Sequence, residues 1–147
     1  MAIVDPPEFK PLLGHPDDHR PDSTWALMVD PATADSEFVR NVTIVRDTIA
    51  PGDGIPLHVH PTEEAVLIEE GEMDWRLGDE TREVPAGGVV FIPPLTPHGS
   101  QNDSGQIARV TSFFPSPTIT MEYLERNPAP GTEGDEPQPI QTIDPRA

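Results

Sequence analysis

The run Gly52-Asp53-Gly54-Ile55-Pro56-Leu57-His58-Val59-His60-Pro61-Thr62-Glu63-Glu64 decides how this chain reads. Residues two apart on a strand share a face. If the strand runs through, His58, His60, Thr62 and Glu64 point one way and Glu63 the other, so Glu64 is the carboxylate that can join the two imidazoles. A third imidazole, His98, follows the run Pro85-Ala86-Gly87-Gly88-Val89-Val90-Phe91-Ile92-Pro93-Pro94 and must arrive from a separate part of a sheet. Pro93, Pro94 and Pro97 stiffen its approach, which lowers the entropy lost in fixing a ligand. Three neutral imidazoles and one carboxylate suit one divalent transition ion: Fe, Mn, Ni, Cu, Co or Zn. An octahedral shell would keep two positions open for water, substrate or dioxygen, whereas zinc favours four or five ligands.

The rest of the composition narrows the function classes. A chain of 147 residues closes a single core. It has no cysteine, so disulfides and thiolate metal sites are excluded. The formal charge is −17 and Lys10 is the sole lysine, which repels a phosphate backbone and argues against a nucleic-acid partner. The same acidity reads most simply as solubility. Apolar runs are too short to cross a membrane, and Met1-Ala2-Ile3-Val4-Asp5-Pro6-Pro7 lacks the basic and apolar regions of a secretory signal. A cytoplasmic protein without a membrane partner is expected.

Twenty prolines and eleven glycines leave little room for long helices. Residues 1–22 read as an extended arm, 23–126 as the folded barrel, and 127–147 as a Pro-rich acidic tail, mobile or laid over the surface. Between the tails the pattern predicts strands at Trp25–Val29 and Phe38–Ile49, then a turn at Pro51–Gly54. Glu64–Glu69 and Glu72–Leu77 flank Gly71 like a hairpin, with Met73, Trp75 and Leu77 on one face. Val89–Ile92 and Ile107–Phe114 complete the strands, and Met121–Arg126 reads as one short helix ending before Pro128. Many short strands with regular turns predict an all-β sandwich or barrel.

These residues resemble the cupin superfamily. Its first motif is Gly, five residues, His-x-His, three or four residues, Glu, six residues, Gly; Gly52, His58, His60, Glu64 and Gly71 stand at those spacings. Its second motif is Gly, five residues, Pro-x-Gly, two or more residues, His, three residues, Asn, matched by Pro85, Gly87, His98 and Asn102. This sequence departs in having six residues between Gly78 and Pro85 and a long gap from Gly87 to His98. The resemblance covers about residues 38–114. It implies a double-stranded β-helix, a jelly-roll barrel with the metal inside, and a homodimer formed by exchange of an N-terminal strand. It also implies that Glu64 could leave the metal to act as a catalytic base.

The resemblance does not choose a reaction. The leading expectation is a dioxygenase acting on a small organic molecule. The alternatives are a non-redox isomerase, cyclase, dehydratase or lyase using the ion to stabilise an enolate, and a ligand-binding protein without turnover. Oxygen uptake and metal identity separate the first two. Arg40, Arg46, Arg76 and Arg109 are the cations that could anchor an acidic substrate, though each reads more simply as a surface ion-pair partner. Two or three of Trp25, Met28, Phe38, Met73, Trp75, Phe91, Phe113 and Phe114 should reach the cavity, with the rest in the core. His15 and His19 read as solvated arm residues. Thr62 and Asn102 are candidates to hydrogen-bond the ligands from behind.

Overall fold

The computed structural model describes residues 5–12, 14–29 and 41–144. It has twelve strands: β1 Lys10–Pro11, β2 Thr24–Val29, β3 Thr43–Ile49, β4 Gly54–Val59, β5 Glu64–Glu70, β6 Glu72–Leu77, β7 Glu80–Pro85, β8 Val89–Ile92, β9 His98–Gln101, β10 Ala108–Phe114, β11 Ile119–Tyr123 and β12 Ile140–Ile143. They form two six-stranded antiparallel sheets, in the orders β1-β2-β3-β10-β5-β8 and β12-β11-β4-β9-β6-β7. Among the described residues no helix is long and apolar enough to cross a membrane. The fold is the all-β jelly-roll barrel that the strand pattern and the motifs imply.

Period-two burial builds the core. Val66 and Ile68 of β5, Met73 and Trp75 of β6, Val90 and Ile92 of β8, and Ala108 and Val110 of β10 pack with Ile49 between the sheets. Val45, Phe114 and Ile119 form a smaller apolar cluster, with Trp25 and Met121 packed against it.

Two expectations are corrected. The segments around Gly71 are not a hairpin: β5 pairs with β8 and β10, whereas β6 pairs with β7 and β9 in the opposite sheet. Gly71 is a corner, with φ +74°, and a Cβ there would meet the Ile107 carbonyl oxygen at 2.7 Å. Met121–Arg126 is not a helix. Its first half belongs to β11, pairing with β12 on one side and, at Glu122 and Tyr123, with β4 on the other. Met, Glu and Leu favour helix locally, but two flanking strands offering backbone partners override that preference. The strand expected from Phe38 begins, among described residues, at Thr43; Phe38 and Arg40 lie outside the described residues.

The arm is more than a solvated strip. Asp17 and Asp18 are buried. Asp17 accepts hydrogen bonds from Arg126 Nε at 2.6 Å and from the backbone N–H of Gln138 at 2.7 Å. Backbone bonds join His19 N–H to Asn127 O and Asn127 N–H to Asp17 O, both at 2.7 Å. Through β12 the tail lies over the barrel, and through Asp17 it is tied to the arm. We predict that Asp17→Ala, which strands these donors, costs roughly 2–3 kcal/mol. A thermal melt should show Tm lowered by about 5–10 °C; an unchanged Tm would mean the arm is not tied down by this carboxylate.

Candidate metal centre

The ligands come from both sheets. His58 lies near the end of β4, His60 just beyond it, His98 at the start of β9, and Glu64 at the start of β5 in the opposite sheet. The strand therefore does not run through from His58 to Glu64. It breaks at His60–Glu63 and crosses between the sheets, yet Glu64 still points inward and Glu63 is exposed. His58 and His98 are cross-strand partners, with ring centroids 4.2 Å apart. Gly99 allows that approach, since a Cβ there would stand 2.9 Å from the Ile55 carbonyl oxygen.

All four side chains are buried, and one ligand atom from each lies within 4.8 Å of the others. His60 Nε2 and His98 Nε2 each stand 3.1 Å from Glu64 Oε2. His58 Nε2 stands 3.2 Å from His60 Nε2. The opposite ring nitrogens face carbonyl oxygens: His58 Nδ1 that of Pro56 at 2.7 Å, His60 Nδ1 that of Thr120 at 2.9 Å, and His98 Nδ1 that of Thr96 at 2.8 Å. A carbonyl only accepts, so each Nδ1 carries the hydrogen and each neutral ring turns a bare Nε2 lone pair inward. Three lone pairs and a carboxylate so arranged repel one another unless a cation sits among them. The residues present fit a divalent ion, with carbonyls fixing each tautomer from behind.

Burial sets the protonation. It pushes the His58 imidazolium down to about 3, helped by repulsion from His98 and His60. Burial alone would raise the Glu64 carboxyl, but the His60 and His98 rings, which donate to it when they are protonated in place of a bound ion, outweigh burial and hold Glu64 at about 2. His58 thus stays neutral and Glu64 ionised well below neutral pH.

His58, His60 and Glu64 face a cavity of about 420 Å³. Its apolar wall includes Trp25, Val45, Ile55, Phe114, Ile119 and Met121, and its polar groups include His15, Asp18, Arg20, Asp47 and Gln141. Of the aromatic and Met candidates, Trp25 and Phe114 reach it. Met73 and Trp75 are core, while Phe91 is 72% and Phe113 39% exposed. Of the four expected arginine anchors, the three among the described residues supply none of it. Arg46 pairs with Glu69, Arg76 with Glu125 and Arg109 with Glu70 on the surface, and Arg40 lies outside the described residues. Asn102 bonds the carbonyls of Ile49 and Gln106 and receives Ser104, so it clamps a turn and no ligand. Thr62 makes no such bond to a ligand among the described residues. His15 and His19 join no metal cluster there; His15 stacks on Tyr123 at 5.1 Å.

Sequence reasoning missed Asp47 and Arg20. Asp47 shares the inner face of β3 with buried Val45 and Ile49. Its signal was available: a lone carboxylate in step with apolar residues. Arg20 had none, because only the fold brings the arm to the cavity.

A cupin domain model matches residues 45–114. The chain belongs to the cupin superfamily. Among solved structures it is similar to the polyketide cyclase RemF from Streptomyces resistomycificus, at 22% identity over 88% of each chain, with a TM-score of 0.67. It is also similar to an RmlC-like cupin from Shewanella frigidimarina, at 16% identity over 74% of this chain and 84% of that one, TM-score 0.57. A third likeness is to oxalate decarboxylase from Lactobacillus farciminis, at 20% identity over 82% of this cupin and 33% of that chain, TM-score 0.62. At these identities the likeness is one of fold. No curated protein matches the chain.

Two outcomes follow for this cupin. Protein purified without added metal should carry about one transition ion per chain, and the double substitution His60→Ala with His98→Ala should carry almost none. Equal metal content in both, by elemental analysis, would disprove the site. In the metal-free protein, the folded His58 binds its proton only near pH 3, against an ordinary value of 6.5. Between those values the unfolded chain binds more protons, so stability falls as pH drops through that window. Asp47, raised to about 6, works in the opposite sense over part of that window, so thermal melts from pH 7 to pH 4 should show wild type losing more stability than His58→Asn, and equal losses would mean His58 is not buried neutral.

Proposed function

We propose that this cupin is a metal-dependent enzyme that moves a proton beside a carbonyl group of a small organic molecule, as a cyclase or isomerase does. The observation that supports this reading is the presence of Asp47 in the cavity onto which His58, His60 and Glu64 open. Among the described residues no hydrogen bond or close ion pair holds the Asp47 carboxyl, while Arg20 lies near enough to act on it by charge. Burial raises it to about 6, with Arg20 pulling it down and the charges of Asp18 and Glu64 pushing it up. So raised in the metal-free cavity, and drawn back toward the carboxylate by the charge of a bound ion, Asp47 suits the role of general base.

When bound, a divalent ion at His58, His60, Glu64 and His98 supplies Lewis acidity to a carbonyl oxygen. Asp47 takes the proton from the adjacent carbon and returns it elsewhere. Glu64, engaged by two imidazoles, serves as a ligand, leaving the base to Asp47.

The second reading is a dioxygenase. Its support is the ligand set itself, since three imidazoles and one carboxylate leave an octahedral ion two open positions. The two readings separate in one experiment. The metal-loaded protein is incubated in deuterium oxide with an aryl ethyl ketone such as propiophenone, and NMR follows deuterium entry beside the carbonyl while an electrode follows oxygen. Proton transfer predicts metal-dependent exchange, slowed at least about 100-fold in Asp47→Asn, with no oxygen uptake. Ketone-dependent oxygen uptake without exchange would replace this reading with the second.

We also propose a homodimer. Val89, Phe91 and Leu95 leave large apolar side chains exposed on and beyond β8, the terminal strand of its sheet, a face that a second copy would cover. Light scattering should give twice the mass of the chain; the mass of one chain would overturn the proposal.

A further inference from the structure

Arg20 belongs to neither cupin motif, and the fold brings it from the arm to the wall of the cavity. Its side chain is only 8% exposed. Nε and Nη2 donate to the two oxygens of Asp18 at 3.0 and 2.9 Å. Asp18 Oδ2 also accepts from the Tyr123 hydroxyl at 3.0 Å, and Tyr123 in turn faces His58, with ring centroids 6.0 Å apart. The guanidinium is thus pinned in one orientation before any ligand arrives, and little entropy is lost when it makes a further bond. Its third nitrogen is different. Nη1 is buried with no hydrogen-bond partner among the described residues. A buried guanidinium N–H left without an acceptor is costly, and Arg20 is one of the residues that line the cavity.

We propose that Arg20 is the substrate-anchoring residue of this cavity, and that it selects an aromatic or conjugated molecule bearing a carboxylate or enolate oxygen, which accepts from Nη1. The inference rests on the cavity being the substrate site. An anionic oxygen makes the stronger, charge-assisted bond to a guanidinium. Trp25, Phe114 and Met121 offer its carbon skeleton an apolar wall. Asp18 is the positioning residue: it holds the fork while leaving one N–H for the ligand.

The test is calorimetric titration of the zinc-loaded protein with 2-naphthoate and with its neutral methyl ester. The acid should bind at least about tenfold more tightly than the ester. Arg20→Gln, folded by circular dichroism and holding its zinc, should lose that preference and bind the ester as before. An unchanged preference in Arg20→Gln would overturn the proposal. Should that variant not fold, Arg20→Lys keeps the charge against Asp18 but withdraws the Nη1 bond; a reduced preference supports the anchor, and an undiminished one refutes it. The metal-free double substitution His60→Ala with His98→Ala separates this inference from the proposed reaction. A preference retained there assigns it to Arg20 whatever the chemistry, and a preference lost there assigns it to the metal and overturns the anchor. Absence of binding by either compound to the wild-type protein would overturn the cavity as a site for such ligands.

Discussion

Mutual repulsion at the centre of the barrel is the constraint on which the rest depends. Three Nε2 lone pairs and one carboxylate meet in a space from which water is largely excluded, each imidazole locked in its tautomer by a backbone carbonyl. Such an arrangement is stable only around positive charge. The surrounding fold is arranged to bring these groups together. β4 and β9 run side by side so that His58 faces His98, and the chain crosses between sheets after His60 so that Glu64 approaches from the opposite side.

Around that centre the arm and tail are functional parts of the structure. Asp17 ties the arm to Arg126 and to the tail at Gln138, and Asp18 orients Arg20 beside the cavity. One end of the cavity therefore carries the ligands of an ion, and its wall carries a carboxylate on β3 and a guanidinium on the arm. This arrangement suits an apolar molecule with oxygen functions, one for the ion and one for Arg20. The surface arginines, paired with Glu69, Glu125 and Glu70, play no part in it.

The cluster of four candidate ligands was legible because its signal is local. His-x-His followed by Glu at a fixed distance, and a later His behind prolines, specify residue types at spacings that few other arrangements require. Even so, the inward turn of Glu64 has a different cause from the one that strand parity suggested, since a crossing between sheets intervenes. Gly71 was legible as a turn but not as a corner, because a hairpin and a crossing to another sheet make the same local demand for positive φ. β11 was read as a helix because only its neighbours, β4 and β12, make it a strand. Asp47 could have been found from its step with Val45 and Ile49. Arg20 could not, since its role depends on contacts with residues more than a hundred positions away, such as the bond between Asp18 and Tyr123.

X-ray absorption at the edge of whatever metal accompanies the purified protein tests the central claim most directly. The account predicts scattering from three imidazole nitrogens and at least one carboxylate oxygen at about 2.0–2.2 Å. A shell of oxygen alone, with none of the outer-shell scattering that imidazole rings produce, would contradict it.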